Sequence, residues 1–138
     1  MNKFILLIFW IQILIYAFLI AYFLVPVSMR SSVFPFFALS GIVFSFLGII
    51  LVYLTKKQGI QGWLRKFLQL TGVCSAGVTV SVILHNLFYA LAVLSIDISV
   101  FHFLFEILHT IFFLATFFVF MIGFLIGAIG SIVLFIKK

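Results

Sequence analysis

The last apolar stretch of this sequence constrains the fold most. Residues 98–136 are 39 consecutive positions with almost no hydrophilic content, and the exceptions are regularly spaced. Ser99, His102, Glu106 and His109 fall at steps of three, four and three, and the alternation continues through Phe113, Thr116, Phe120, Gly123, Gly127 and Gly130. Apart from two phenylalanines the stripe is polar or small. Between its members every residue but Thr110 is Phe, Leu, Ile, Val, Met or Ala. This is a 3.5-residue seam with its polarity reversed. A helix in water hides its greasy face, whereas a helix in lipid turns hydrocarbon outward and keeps small or polar residues for its neighbours.

The rest of the chain agrees. Of 138 residues, 67% are hydrophobic and 7% charged, where a soluble domain carries roughly 25% charged residues. With a mean hydropathy of +1.53 the chain cannot present a wettable surface. We therefore read residues 1–138 as one transmembrane domain. Four apolar runs, 4–25, 34–54, 67–94 and 98–136, are each long enough to cross a bilayer. Short loops join them, which predicts an all-α, integral membrane four-helix bundle with up-down-up-down topology. The first run, 22 residues, exceeds the core of a signal peptide and lacks its cleavage motif, so it is expected to be retained. The last run would reach ~58 Å as a straight helix, against a hydrocarbon core of ~30 Å. No Pro or Gly interrupts it before Gly123. One long helix, tilted or bent and with outer turns in the headgroup zone, is expected.

Charge sets the orientation. The net charge of +6 sits at the ends of the apolar runs, where it reads as topology and contact with anionic lipid, not as a face for nucleic acid. Lys56, Lys57, Arg65 and Lys66 crowd the hydrophilic segment 55–66, with Trp63 beside them as an interfacial anchor and Gly59 and Gly62 as helix breakers. The segment 27–32 has only Arg30, and the turn 95–97 has no Lys or Arg. The positive-inside rule then places 55–66 and both termini in the cytoplasm, in agreement with Lys3, Lys137 and Lys138. A multi-pass protein of the cell's inner or plasma membrane follows. At the helix starts, Ser32 is expected to cap the second helix with Pro35 in its first turn, and Ser95 or Asp97 to cap the fourth.

Small residues mark expected helix contacts: Gly41, Ser45 and Gly48 on the second helix, Gly77 and Ser81 on the third, Gly123, Gly127 and Gly130 on the fourth. Gln12 and Tyr16, one turn apart, are expected to hydrogen-bond to neighbouring helices. Cys74, the single cysteine, is assigned to packing.

The chemistry-bearing groups gather towards the outer side. His102, Glu106 and His109 share a helix face, and His85, Asn86 and Tyr89 are expected opposite them. Four readings of this polar cluster stand side by side. It fixes helix register; or two histidines and a carboxylate, with His85, hold a single metal ion; or His85 pairs with His102 or His109 on a haem; or the cluster relays protons or a small solute. A di-metal site needs more carboxylates than one Glu and one Asp. No cofactor is specifically indicated, and neither a nucleophile with its base nor a phosphate-cradling loop is present. The leading expectation is a non-enzymatic structural or interaction subunit. Its partners would be the lipid bilayer and either further copies of itself or another membrane protein. A small transporter is the alternative, and a metal- or haem-binding redox protein the third reading.

Overall fold

A computed structural model describes residues 3–137; Lys138, read above with the basic C-terminal end, lies outside them. The described chain is helical almost throughout, because backbone groups with no water to bond must satisfy one another locally. Helix α1 spans Lys3–Tyr22, α2 Val27–Lys57 and α3 Gly62–Leu94. A fourth rod, Ser99–Ile136, follows. It is made of α4 (Ser99–Leu114), a π-helical stretch (Ala115–Met121) and α5 (Ile122–Ile136). All four rods are long and apolar enough to cross a membrane. Large apolar side chains such as Leu14, Phe36, Phe46, Ile83, Phe103 and Phe118 are exposed, an outer surface suited to hydrocarbon and not to water. The protein is a multi-pass membrane protein.

Several expected loops and caps are corrected. Residues 27–32 form the first turns of α2, not a loop, and the cap position is Pro26, with no side-chain bond. Ser32 is therefore not a cap. Pro35 lies inside the helix, where its missing N–H forfeits the bond to the carbonyl of Ser31. The helix starts early because Arg30 reaches back: Nε donates to the Val25 carbonyl at 3.1 Å and a terminal nitrogen to that of Phe23 at 3.2 Å. The hydrophilic segment 55–66 contracts to residues 58–61, with Lys56 and Lys57 in the last turn of α2, where they oppose the helix dipole favourably. Gly59 and Gly62 both take positive φ, the conformation that turns the chain. Neither Ser95 nor Asp97 caps α4. Ile98 holds that position without a side-chain bond, and Ser95 Oγ donates back to the Ala92 carbonyl.

Helix α3 is the centre of the bundle. Against α2 it makes a backbone-to-backbone approach at Gly48 and Gly72: a Cβ on Gly72 would lie 2.6 Å from the Gly48 carbonyl oxygen, and one on Gly48 would strike Ser75 Oγ. Ser45 Oγ donates to the Ser75 carbonyl at 2.9 Å, and Thr79 Oγ1 to that of Gly41 at 2.8 Å. Against the fourth rod the small residues meet bulk: Gly77 faces the Phe120 ring, Gly123 faces Cys74 Sγ, Gly127 faces Thr71 and the Phe67 carbonyl, and Gly130 faces the Phe67 ring. The pairings run in opposite numerical order, so α2, α3 and the fourth rod alternate in direction.

Helix α1 closes the groove between α2 and the fourth rod. Gln12, fully buried, donates to Ser75 Oγ at 2.9 Å, and Tyr16 donates to the Met121 carbonyl at 3.2 Å. The Tyr16 ring stacks on Phe124 at 4.6 Å, and Phe9 meets Phe135 edge-on.

The seam is not one uninterrupted heptad. Above the π-helical stretch the Ala92 carbonyl faces His102 and His85 faces the His109 carbonyl; that register would set Gly77 against position 117. It faces Phe120 instead. The π-helical stretch, whose wider turns hold more residues, absorbs the slip. Just before it the Phe112 carbonyl accepts both Ser81 Oγ at 2.7 Å and Thr116 Oγ1 at 2.9 Å. Hydroxyls commonly serve backbone groups where a membrane helix departs from regularity.

The close approaches rank the glycines. A Cβ on Gly127 would lie 2.7 Å from the Thr71 backbone nitrogen, whereas one on Gly41 meets nothing nearer than Thr79 Oγ1 at 3.8 Å. Gly127→Ala and Gly48→Ala are expected to destabilise by about 1–3 kcal/mol, the range for overpacking. Gly41→Ala should stay within about 0.5 kcal/mol of the parent. Thermal melting in detergent micelles compares the three, and equal midpoints would contradict the packing described.

Candidate functional site

Two features of the half bounded by the α1–α2 and α3–α4 turns are candidates: the ionisable side chains, and a cleft beside them. The side chains do not form the single cluster that their spacing suggests. His85 Nδ1 bonds the His109 main-chain carbonyl at 2.9 Å. Because a carbonyl only accepts, Nδ1 carries the proton in that bond. The two rings pack at 5.2 Å between centroids, and Tyr89 meets His109 edge-on at 5.7 Å. His102 turns to the Ala92 carbonyl instead, at 2.9 Å. Asn86 bonds the Val82 carbonyl of its own helix at 2.8 Å.

Glu106 does not reach across to α3. Its side chain is 42% exposed and its charged neighbour is His109, on the same helix, at 3.5 Å. That is ion-pair distance without hydrogen-bond geometry, so His109 Nδ1 is buried with no hydrogen-bond partner. Asp97 is exposed in the turn.

This arrangement answers the metal and haem readings on geometry. His102 and His109 stand two turns apart, ~10 Å along the axis, and point to different partners. Among the described residues no three His, Cys, Asp or Glu side chains converge on a point where an ion could be held. The His85 and His109 rings touch directly, which leaves no slot for a porphyrin between them.

The cleft was not legible as such in the sequence. It measures about 520 Å³, within the range of ligand pockets. Leu19, Tyr22 and Phe23 of the α1 end, residues 34–42 of α2, residues 78–86 of α3 and the π-helical region line it. Its origin is a mismatch in length. Helix α1 has 20 residues and α2 has 31, ~30 Å against ~46 Å. Where α1 stops, the groove it covers stays open. The walls are mostly apolar, and His85 and Asn86 supply polar groups at one end.

The basic end is built differently. Trp63 is exposed and Lys66 Nζ sits over its ring at 4.5 Å; Lys57 Nζ lies 5.7 Å from the Tyr53 ring centre. Arg65 is exposed on the first turn of α3.

No family model matches the sequence, and neither the curated proteins nor the solved structures with which it was compared gave a match.

The hydrogen bonds separate the ionisable residues by role. Removing the His85 donor in His85→Phe is expected to cost about 0.6–1.7 kcal/mol, the span for interhelical bonds in membrane proteins. Glu106→Gln, at a half-exposed ion pair, should change stability by less than about 1 kcal/mol. Unfolding midpoints of the two variants decide the order, and a larger loss at Glu106 would contradict it.

Proposed function

We propose that this chain is a non-enzymatic membrane subunit of the cell's inner or plasma membrane, with both termini in the cytoplasm. The observation that carries the reading is where the polar side chains of the apolar rods are spent. Gln12, Tyr16, Ser45, Thr79, Ser81 and His85 each donate to a group on a different helix. In hydrocarbon such groups must find a partner, and here they find one another's helices. Among the described residues no three His, Cys, Asp or Glu side chains form a metal ligand set. Transport, the alternative, needs a path beyond the cleft, and below it Tyr16, Phe44 and Phe124 close the centre as a stacked and tilted aromatic layer. Within the group, His85, His102 and His109 with Tyr89 set the register of α3 against the fourth rod, while Asn86 and Glu106, whose partners lie on their own helices, shape the outer face. The exposed aromatic and aliphatic side chains offer contacts to the bilayer and to a membrane partner.

Orientation follows from Lys56, Lys57, Arg65 and Lys66 at one end and the single Arg30 at the other. An impermeant maleimide added outside intact cells is expected to label Asp97→Cys and not Gln58→Cys; the reverse pattern would invert the protein. Purified protein is expected to carry no stoichiometric metal and no Soret absorption. One metal per chain, lost in His109→Ala, would overturn the non-enzymatic reading.

A further inference from the structure

The cleft has a direction, a depth and a charge at its mouth, and together these select an occupant. Arg30 stands on the first turn of α2, its guanidinium tied to two neutral carbonyls at the α1 end. Neither carbonyl neutralises it, and among the described residues the only ion pair is the one between Glu106 and His109. The N-terminus of α2 adds its own partial positive charge at the same place. Phe23, whose carbonyl Arg30 holds, also lines the cleft, so the charge lies at its rim. From Arg30 the cleft extends along α2 from Phe34 to Ile42, ~6 to ~18 Å further down the axis. With Arg30 at headgroup level, ~5–7 Å outside a ~30 Å hydrocarbon core, that depth stays within one leaflet. His85 and Asn86 sit towards the rim, while Val78, Met121 and Leu19 form the apolar bottom.

We infer that the cleft holds one acyl chain of an anionic phospholipid, with the phosphate at Arg30 and the ester region level with His85 and Asn86. The polarity order of the cleft is that of such a lipid: cationic rim, polar shoulder, hydrocarbon floor. Its partly open side gives the chain a lateral entry from the bilayer. A second copy of this protein is a poorer fit, because a helix is ~10 Å across with its side chains and the cleft is bounded by three helices and the end of a fourth. The lipid would replace, for the outer part of the groove, the cover that α1 provides further down.

Native mass spectrometry of the full chain, released from micelles containing either phosphatidylglycerol or phosphatidylcholine, tests this. The parent chain is expected to retain one phosphatidylglycerol and about fivefold less phosphatidylcholine, the discrimination of one interfacial cation. Gly41→Leu and Ala38→Leu fill the wall where a Cβ has room and are expected to lose the bound lipid while keeping the helical circular dichroism of the parent. A second measurement does not depend on those variants folding. With Trp10 and Trp63 replaced by Phe, Phe37→Trp reports the cleft and Phe46→Trp the bulk lipid contact. Phosphatidylglycerol brominated in its chains should quench Phe37→Trp to saturation at low mole fraction and Phe46→Trp only in proportion to its mole fraction. Quenching of both in proportion to bulk lipid would overturn the inference. So would equal retention of the two lipids, unchanged retention in a folded Gly41→Leu, or a lipid-free dimer that Gly41→Leu converts to monomer.

Discussion

The contact between the backbones of α2 and α3 at Gly48 and Gly72 sets the geometry of the whole bundle. No side chain separates the helices there: a Cβ on either residue would meet the other's carbonyl oxygen within 2.6 Å. Lipid supplies no hydrophobic force to press helices together, so close van der Waals approach and interhelical hydrogen bonds do the work. The approach brings Ser75 to the floor of the groove, where it accepts from Gln12 and its carbonyl accepts from Ser45. Helix α1 is thus registered by a single buried amide. Tyr16 then falls against Met121 and Phe124, which fixes the fourth rod relative to the first.

From this arrangement the half bounded by the α1–α2 and α3–α4 turns follows. Helix α3 is flanked on both sides along its full length, but its third neighbour is short. Arg30 folds the chain back sharply by occupying the carbonyls at the end of α1, and beyond that point the groove opens. The cleft is therefore a product of helix length and a tight turn. The π-helical stretch lies in the same region, with Thr116, Phe117 and Met121 on its wall. Its irregularity is sustained by hydroxyls from Ser81 and Thr116 on one carbonyl.

The candidate site shows where reading by spacing succeeds and where it stops. Steps of three and four placed His102 and His109 on the face that meets α3, and both bond to or pack against it. The same steps placed Glu106 there too, yet its side chain is half in the open. At 3.6 residues per turn Glu106 stands ~40° to one side of His102 and His109 ~20° to the other, so the carboxylate lies at the edge of the face. Asn86, beside His85 in sequence, turns to its own backbone. Two His residues on one helix face looked like ligands for a common ion. Two turns apart, His102 bonds the Ala92 carbonyl of α3, while the His109 ring packs against His85 and Tyr89 and its Nδ1 has no hydrogen-bond partner.

By itself the sequence determined that this is an all-α protein of four apolar rods. Continuous hydrocarbon over more than twenty residues leaves the backbone no partner but itself, and that holds whatever the neighbours are. It also identified the small-residue faces and the buried pair Gln12 and Tyr16, since polar or tiny residues in an apolar run are placed by the need for a neighbour. Tertiary structure decided the rest. Residues 27–32, and all of 55–66 except residues 58–61, are helical because hydrophilic residues continue a helix once it is started, and at Gly59 and Gly62 positive φ, not polarity, set where the chain turned. The slip in the seam, the separate partners of the histidines and the cleft all depend on distances between helices. Those distances arise from which small residue meets which bulky one, a pairing that no single helix contains.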